Sequence, residues 1–222
     1  MTATTNFVKT NGLLLILTIA PLVYLLVMWS SIPETVPLHW NFKGEPDRYG
    51  SKQSLLWLLV GLNLFMYLFL LILPRIAARK EEIDAMGSKY NRLRFVLQLF
   101  VAMLSGIIVL MASGQVAVNQ QLLLGSCFLL FMLLFGNYVG SIRPNYFIGI
   151  RTPWTLQSDT VWRKTHRLTG RLLLTGVVLG FILLFSLPSS WGMMGVVSVL
   201  VAALLFPAVY SFFLFKKEQA ST

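Results

Sequence analysis

"LLWLLVGLNLFMYLFLLIL", residues 55–73, decides what kind of protein this is. The stretch holds no charged side chain, and as a helix rising 1.5 Å per residue it spans about 28 Å, the depth of a bilayer's hydrocarbon core. Working outward, further charge-free runs occur at 12–30, 95–113, 121–140, 172–187 and 193–215. The run at 172–187 is short, so it is expected to draw on the helix before it. Across the 222 residues 56% are hydrophobic and only 12% charged, about half the charged fraction of an ordinary soluble domain. Strand-type alternation is absent, which argues against a β-barrel. The sequence therefore predicts an all-α integral membrane protein. Six transmembrane helices would form one polytopic domain over residues 1–222, with an interfacial amphipathic helix before the fifth span.

Charge predicts the orientation. With six spans, both termini share a side with the segments 74–94 and 141–171, and that side carries fifteen of the eighteen Lys and Arg residues. The other side holds Lys43, Arg48 and Lys52, balanced by three acidic residues. The excess of Lys and Arg marks the cytoplasmic face, so both ends are expected to be cytoplasmic. A pI near 10.1 is then explained by basic loops lying against anionic lipid, not by nucleic acid. The first run is too long for a signal-peptide core, and no small-residue cleavage pattern follows "MWSSIPE", so it reads as a retained helix. Cys127, the single cysteine, falls within a span and reads as a small apolar filler.

Loops carry the rest. The outer segment 31–54 contains "PETVPLHW", where Pro33 and Pro37 disfavour helix, and "KGEPD", which has the residues of a tight turn. His39, Trp40 and Asn41 stand at this turn and read either as an interfacial anchor or as a platform for a peptide or lipid. The inner segment 74–94 mixes both charge signs around Pro74 and Gly87 and reads as a solvated connector with short helical pieces. The inner segment 141–171 is richer. Pro144 and Pro153 hold the residues before them extended, and Gly136, Gly140 and Gly149 allow close backbone approach. Ser158 or Asp159 can cap a helix on which Arg163, Arg167 and Arg171 share one face. On it Trp162 and His166 stack at i, i+4, with Trp162 at headgroup depth. Asn137, beside Gly136, is the candidate for a buried polar contact to this loop.

Catalytic chemistry finds little footing. None of the charge-free runs contains Asp, Glu, Lys, Arg or His, and proton relays or coupled transporters usually need such a residue there. The two histidines are expected on opposite faces, and no metal or nucleophile motif is present. No cofactor and no metal are expected, and the chain does not read as an enzyme.

With these residues in view, "GN" at 136–137, "RPNYFIGIRTPWTL" at 143–156 and "VWRKTHRLTGR" at 161–171 resemble the signature region of the SdpI family of bacterial membrane proteins. "PETVPLHWNFKGEPDRYGSK" resembles the outer-loop domain of unknown function that accompanies it. The resemblance implies immunity to a secreted, membrane-acting peptide toxin and, in some members, capture of a transcriptional repressor at the membrane. It implies an outer surface around His39, Trp40 and Asn41 that binds or excludes the peptide. Inside, it implies a site of Arg143, Asn145, Arg151, Trp154, Trp162 and Arg163, with Asn137, Thr152, Pro153 and His166 beside them. The alternatives are a membrane enzyme or transporter in which Arg143 and Arg151 grip an anionic, lipid-like or small substrate, and a purely structural envelope factor.

Overall fold

The computed structural model describes residues 3–41, 45–76, 83, 86–114 and 119–220. Helix α1 (Ala3–Val27) leads through a single 3-10 turn at Trp29–Ser31 into strands β1 (Thr35–Trp40) and β2 (Pro46–Ser51). Helices α2 (Lys52–Ile76), α3 (Ser88–Ala112) and α4 (Gln120–Val139) follow. A one-turn helix α5 (Pro153–Gln157) precedes α6 (Asp159–Ser186) and α7 (Ser189–Gln219). By length and composition α2, α3, α4, α6 and α7 suffice to cross a membrane, while the apolar part of α1, Asn11–Val27, is shorter. Large apolar side chains face outward: Ile16, Phe65, Val178, Phe185 and Phe213 are each more than half exposed. Water would penalise that surface and hydrocarbon does not. This is an all-α, multi-pass membrane protein carrying one small β-hairpin.

The chain forms two compact units, Met1–Ile76 with Arg94–Phe128, and Ala77–Leu93 with Leu129–Thr222. In the first, β1 and β2 pair antiparallel from Thr35↔Ser51 to Trp40↔Pro46, with irregularities on either side of His39. Val36 and Ile32 bury themselves with Leu25 of α1, Leu55 and Leu59 of α2, and Val109 and Ala112 of α3. The hairpin thus sits on the ends of three helices instead of hanging free. Two polar bridges tie the helices together. Asn63 donates from Nδ2 to Ser105 Oγ at 2.8 Å, and Arg94 donates to Asn11 Oδ1 at 2.7 Å.

In the second unit α6 and α7 pack along their length, joined by the short turn at Leu187 and Pro188. A Cβ on Gly170 would come 2.9 Å from the Gly136 carbonyl oxygen, so α4 and α6 touch backbone to backbone, as small residues allow in membrane helices. Helix α6 runs 28 residues without a break at Leu172, about 42 Å against a hydrocarbon core of about 30 Å. The expected interfacial helix is therefore the first part of the span helix itself. Its buried stripe continues from Val161 to Leu184.

The connector reading of 74–94 needs correction where it is described. Ile83, Met86, Tyr90 and Leu93 are buried, and their spacing of three and four residues gives this segment a helical face to bury despite its charges. Arg94 is buried too, and Lys89 Nζ donates to the Ser141 carbonyl. Residues 77–82, 84 and 85 lie outside the described residues.

Candidate functional site

The segment from 141 to 158 folds back onto the start of α6, and Asn145 organises its first half. The Asn145 side chain is buried. Its Oδ1 accepts from the amides of Phe147 and Ile148, both at 2.8 Å, while Nδ2 donates to the Arg143 carbonyl at 2.8 Å and the Ile148 carbonyl at 3.3 Å. One asparagine replaces the backbone pairing that an irregular loop lacks.

Gly149 then turns the chain with φ +119°, a region open to glycine and little else. This brings the Ile150 amide onto His166, whose Nε2 accepts at 3.0 Å. Since Nε2 is the acceptor, the proton of the neutral ring lies on Nδ1, which donates to the Trp162 carbonyl at 2.9 Å. Trp162 stacks on that ring with centroids 4.0 Å apart, as the i, i+4 spacing predicts, and donates from Nε1 to the Ile142 carbonyl at 2.9 Å. Both side chains are fully buried. His166 has both nitrogens committed, so it is a fastener and not an available base.

The second half is held by a capping box. Thr152 Oγ1 accepts from the Thr155 amide and Thr155 Oγ1 accepts from the Thr152 amide, with Pro153 at the first helical position. Thr155 Oγ1 also reaches the Ile150 carbonyl at 2.8 Å. Trp154 turns toward α7, donating from Nε1 to Ser211 Oγ and meeting the Phe212 ring edge-on at 5.3 Å. Ser158 caps α6 by accepting from the Val161 amide.

The inner residues expected to form one site thus divide. Asn145, Thr152, Trp162 and His166 face inward as scaffold, so the Trp162 ring turns into the protein and not onto its surface. The loop supplies the buried Ile142 and its carbonyl for the indole N–H. Arg143, Arg151, Pro153 and Arg163 are exposed. Arg151 donates to the Tyr146 carbonyl, and Arg163 lies 3.9 Å from Asp159. Asn137 is exposed, which corrects the expectation of a buried contact there. Gly136 of α4 and Gly140 just past its end face α6, so Asn137 points away. Thr155 and Ser211 are partners not singled out in the sequence. The Thr-Pro-x-Thr spacing could have revealed Thr155, whereas nothing local marks Ser211, far along the chain from Trp154.

The outer residues all belong to the hairpin. His39 Nδ1 lies 2.6 Å from Asp47 Oδ1, at an exposed position. Asn41 pairs with Glu45: its Oδ1 accepts from the Glu45 amide at 3.1 Å and its amide donates to the Glu45 carbonyl at 3.0 Å. Trp40 is half-buried, with Nε1 lacking a hydrogen-bond partner among the described residues. Lys52, almost buried, ties the hairpin's base by reaching Glu34 at 3.2 Å and the Ile32 carbonyl at 3.4 Å while lying over the Trp29 ring. Residues 42–44, within the expected turn, lie outside the described residues.

Comparison with known proteins bears on both regions. Residues 141–211, which take in the folded segment, α5, α6 and much of α7, match the SdpI/YfhL protein family. Residues 16–64, which take in the hairpin, match a domain of unknown function, DUF1648. The chain is 26% identical over 198 residues to a Bacillus subtilis (strain 168) protein named Immunity protein SdpI, covering 88% of this chain and 91% of that one. It is also 54% identical over 33 residues to an uncharacterized protein of Archaeoglobus fulgidus, 15% of this chain and 18% of the other. No solved structure matches. The chain is thus similar to the SdpI/YfhL protein family over its folded segment and the helices after it, and to a named relative over nearly its whole length.

Proposed function

We propose that this protein is a six-span immunity protein, a single polytopic domain that protects its own membrane against a secreted, membrane-acting peptide. The observation that carries the reading is the extent of the match to Immunity protein SdpI, 91% of that protein's length, which spans both the hairpin and the folded segment. In this reading α1 is the first span, both termini are cytoplasmic, and the hairpin faces outward. Half-buried Trp40 and Asn41 with the exposed His39 offer an aromatic, hydrogen-bonding surface to an apolar peptide. Arg143, Arg151 and Arg163 form the cytoplasmic face to which a transcriptional repressor would bind. The work is done by contact and not by bond breaking, so neither metal nor cofactor takes part.

The test is protection. Expression in a sensitive bacterium should raise survival against an added membrane-active peptide toxin, and Trp40→Ala should reduce survival while the protein still accumulates in the membrane. Absence of protection across a panel of such peptides, with the protein present by blot, would overturn the immunity reading.

A further inference from the structure

Between α6 and α7 the second unit carries an open groove of about 430 Å³. Gly176 and Ala203, both buried, form its floor, while Leu172, Leu179 and Phe206 line its sides. A Cβ on Gly176 would stand 3.3 Å from Val199 Cγ1, so the helices close tightly here. Ala202 and Ala203 are too small to fill the space above that contact. The one polar residue lining it, Thr175, already donates its hydroxyl to the carbonyls of Arg171 and Leu172 at 3.2 and 3.1 Å. A groove this apolar, on the outer face of two spanning helices, holds hydrocarbon and not water.

One end of the groove differs from bulk lipid contact. Arg171 precedes Leu172 and stands four residues before Thr175, on the same side of α6. It is exposed, and its guanidinium makes no hydrogen bond or ion pair among the described residues. Because α7 runs back along α6, Tyr210 lies toward the same end. Its ring stacks with that of Phe206, centroids 6.1 Å apart, and it is exposed. The groove runs about 10 Å along α6 from Leu172 to Leu179, so a chain lying in it brings its polar head to the Arg171 end.

We propose that this groove is a binding site for one phospholipid, with an acyl chain over Gly176 and Ala203 and the phosphate held by the Arg171 guanidinium beside the Tyr210 hydroxyl. A planar guanidinium presents two parallel donors to phosphate oxygens, a match that a point charge lacks. The site serves the fold whether or not the protein confers immunity.

Native mass spectrometry of the full chain in detergent, titrated with phosphatidylglycerol, tests this. One lipid should be retained per chain, and Arg171→Gln should weaken retention about tenfold, as expected for losing a charged hydrogen-bonding partner. Ala202→Trp, at an exposed position that fills the groove without entering the core, should abolish retention. Val178→Trp, on an exposed position outside the groove, should not change it. Equal retention by wild type and all three variants would mean ordinary lipid carried in the micelle and overturn the site. So would retention of diacylglycerol as tight as that of the phospholipid, or displacement of the lipid by glycerol phosphate, which would mean a site for free phosphate.

Discussion

A Cβ at Gly149 would fall 2.2 Å from His166 Nε2, the atom that accepts the Ile150 amide. The backbone conformation of one residue and the ring position of another, on different elements, are therefore a single requirement. Gly149→Ala is expected to expel the imidazole, strand the Ile150 amide and strain the backbone at positive φ, at a cost of about 2 to 4 kcal/mol. Thermal unfolding of the purified protein should report it, together with faster protease cleavage between 141 and 158. An unchanged melting temperature would mean that the loop is not fastened through His166.

Asn145 and Asn137 make a matched pair. Asn145→Ala removes four hydrogen bonds and leaves two part-buried amides without acceptors, so a loss of about 2 to 4 kcal/mol is expected. Asn137→Ala, at an exposed position, should stay within about 0.5 kcal/mol of wild type. Equal losses in a denaturation series would contradict the arrangement.

Arg151 separates folding from recognition. It is exposed and its main contact is one backbone carbonyl, so Arg151→Ala and Arg151→Lys should each shift stability by no more than about 1 kcal/mol. If the basic face binds a partner through the planar guanidinium, both variants should lose that function to a similar degree, because lysine lacks the fork. The measurements are unfolding and repressor co-purification on the same membrane preparations. Full function in the lysine variant would reduce Arg151 to a topological charge.

Orientation is open to direct labelling. In a Cys127→Ala background, Tyr49→Cys on the exposed hairpin should react with an impermeant thiol reagent on intact cells. Gln157→Cys, exposed at the end of α5, should react only after permeabilisation. The reverse pattern would invert the topology.

Much of this architecture was legible in the sequence because bilayer depth imposes one strong rule: long charge-free runs become helices. The extended run of the outer segment was equally plain from Pro33 and Pro37. Burial within the loops was not. Trp162, His166 and Arg163 sit on one short stretch with similar composition, and only the fold of 141–158 determines which of them faces inward. Asn137 misled because a polar residue beside a glycine suggests a contact, yet the glycine claims the contact face and turns its neighbour away. The buried face of 83–93 was masked by charge, since composition averages over a helix while burial depends on its phase.

The close passage of Gly136 against Gly170 has a consequence for how motion crosses the second unit. With main chain close to main chain at this crossing, and Leu173 and Val139 packed beside it, α4 and α6 have little room to slide past each other. The segment from 141 to 158 leaves one helix and is pinned by hydrogen bonds to the other, so both of its anchors travel together. A push on the far end of either helix would therefore carry this strap along bodily, delivered as a displacement instead of being dissipated as a loosening.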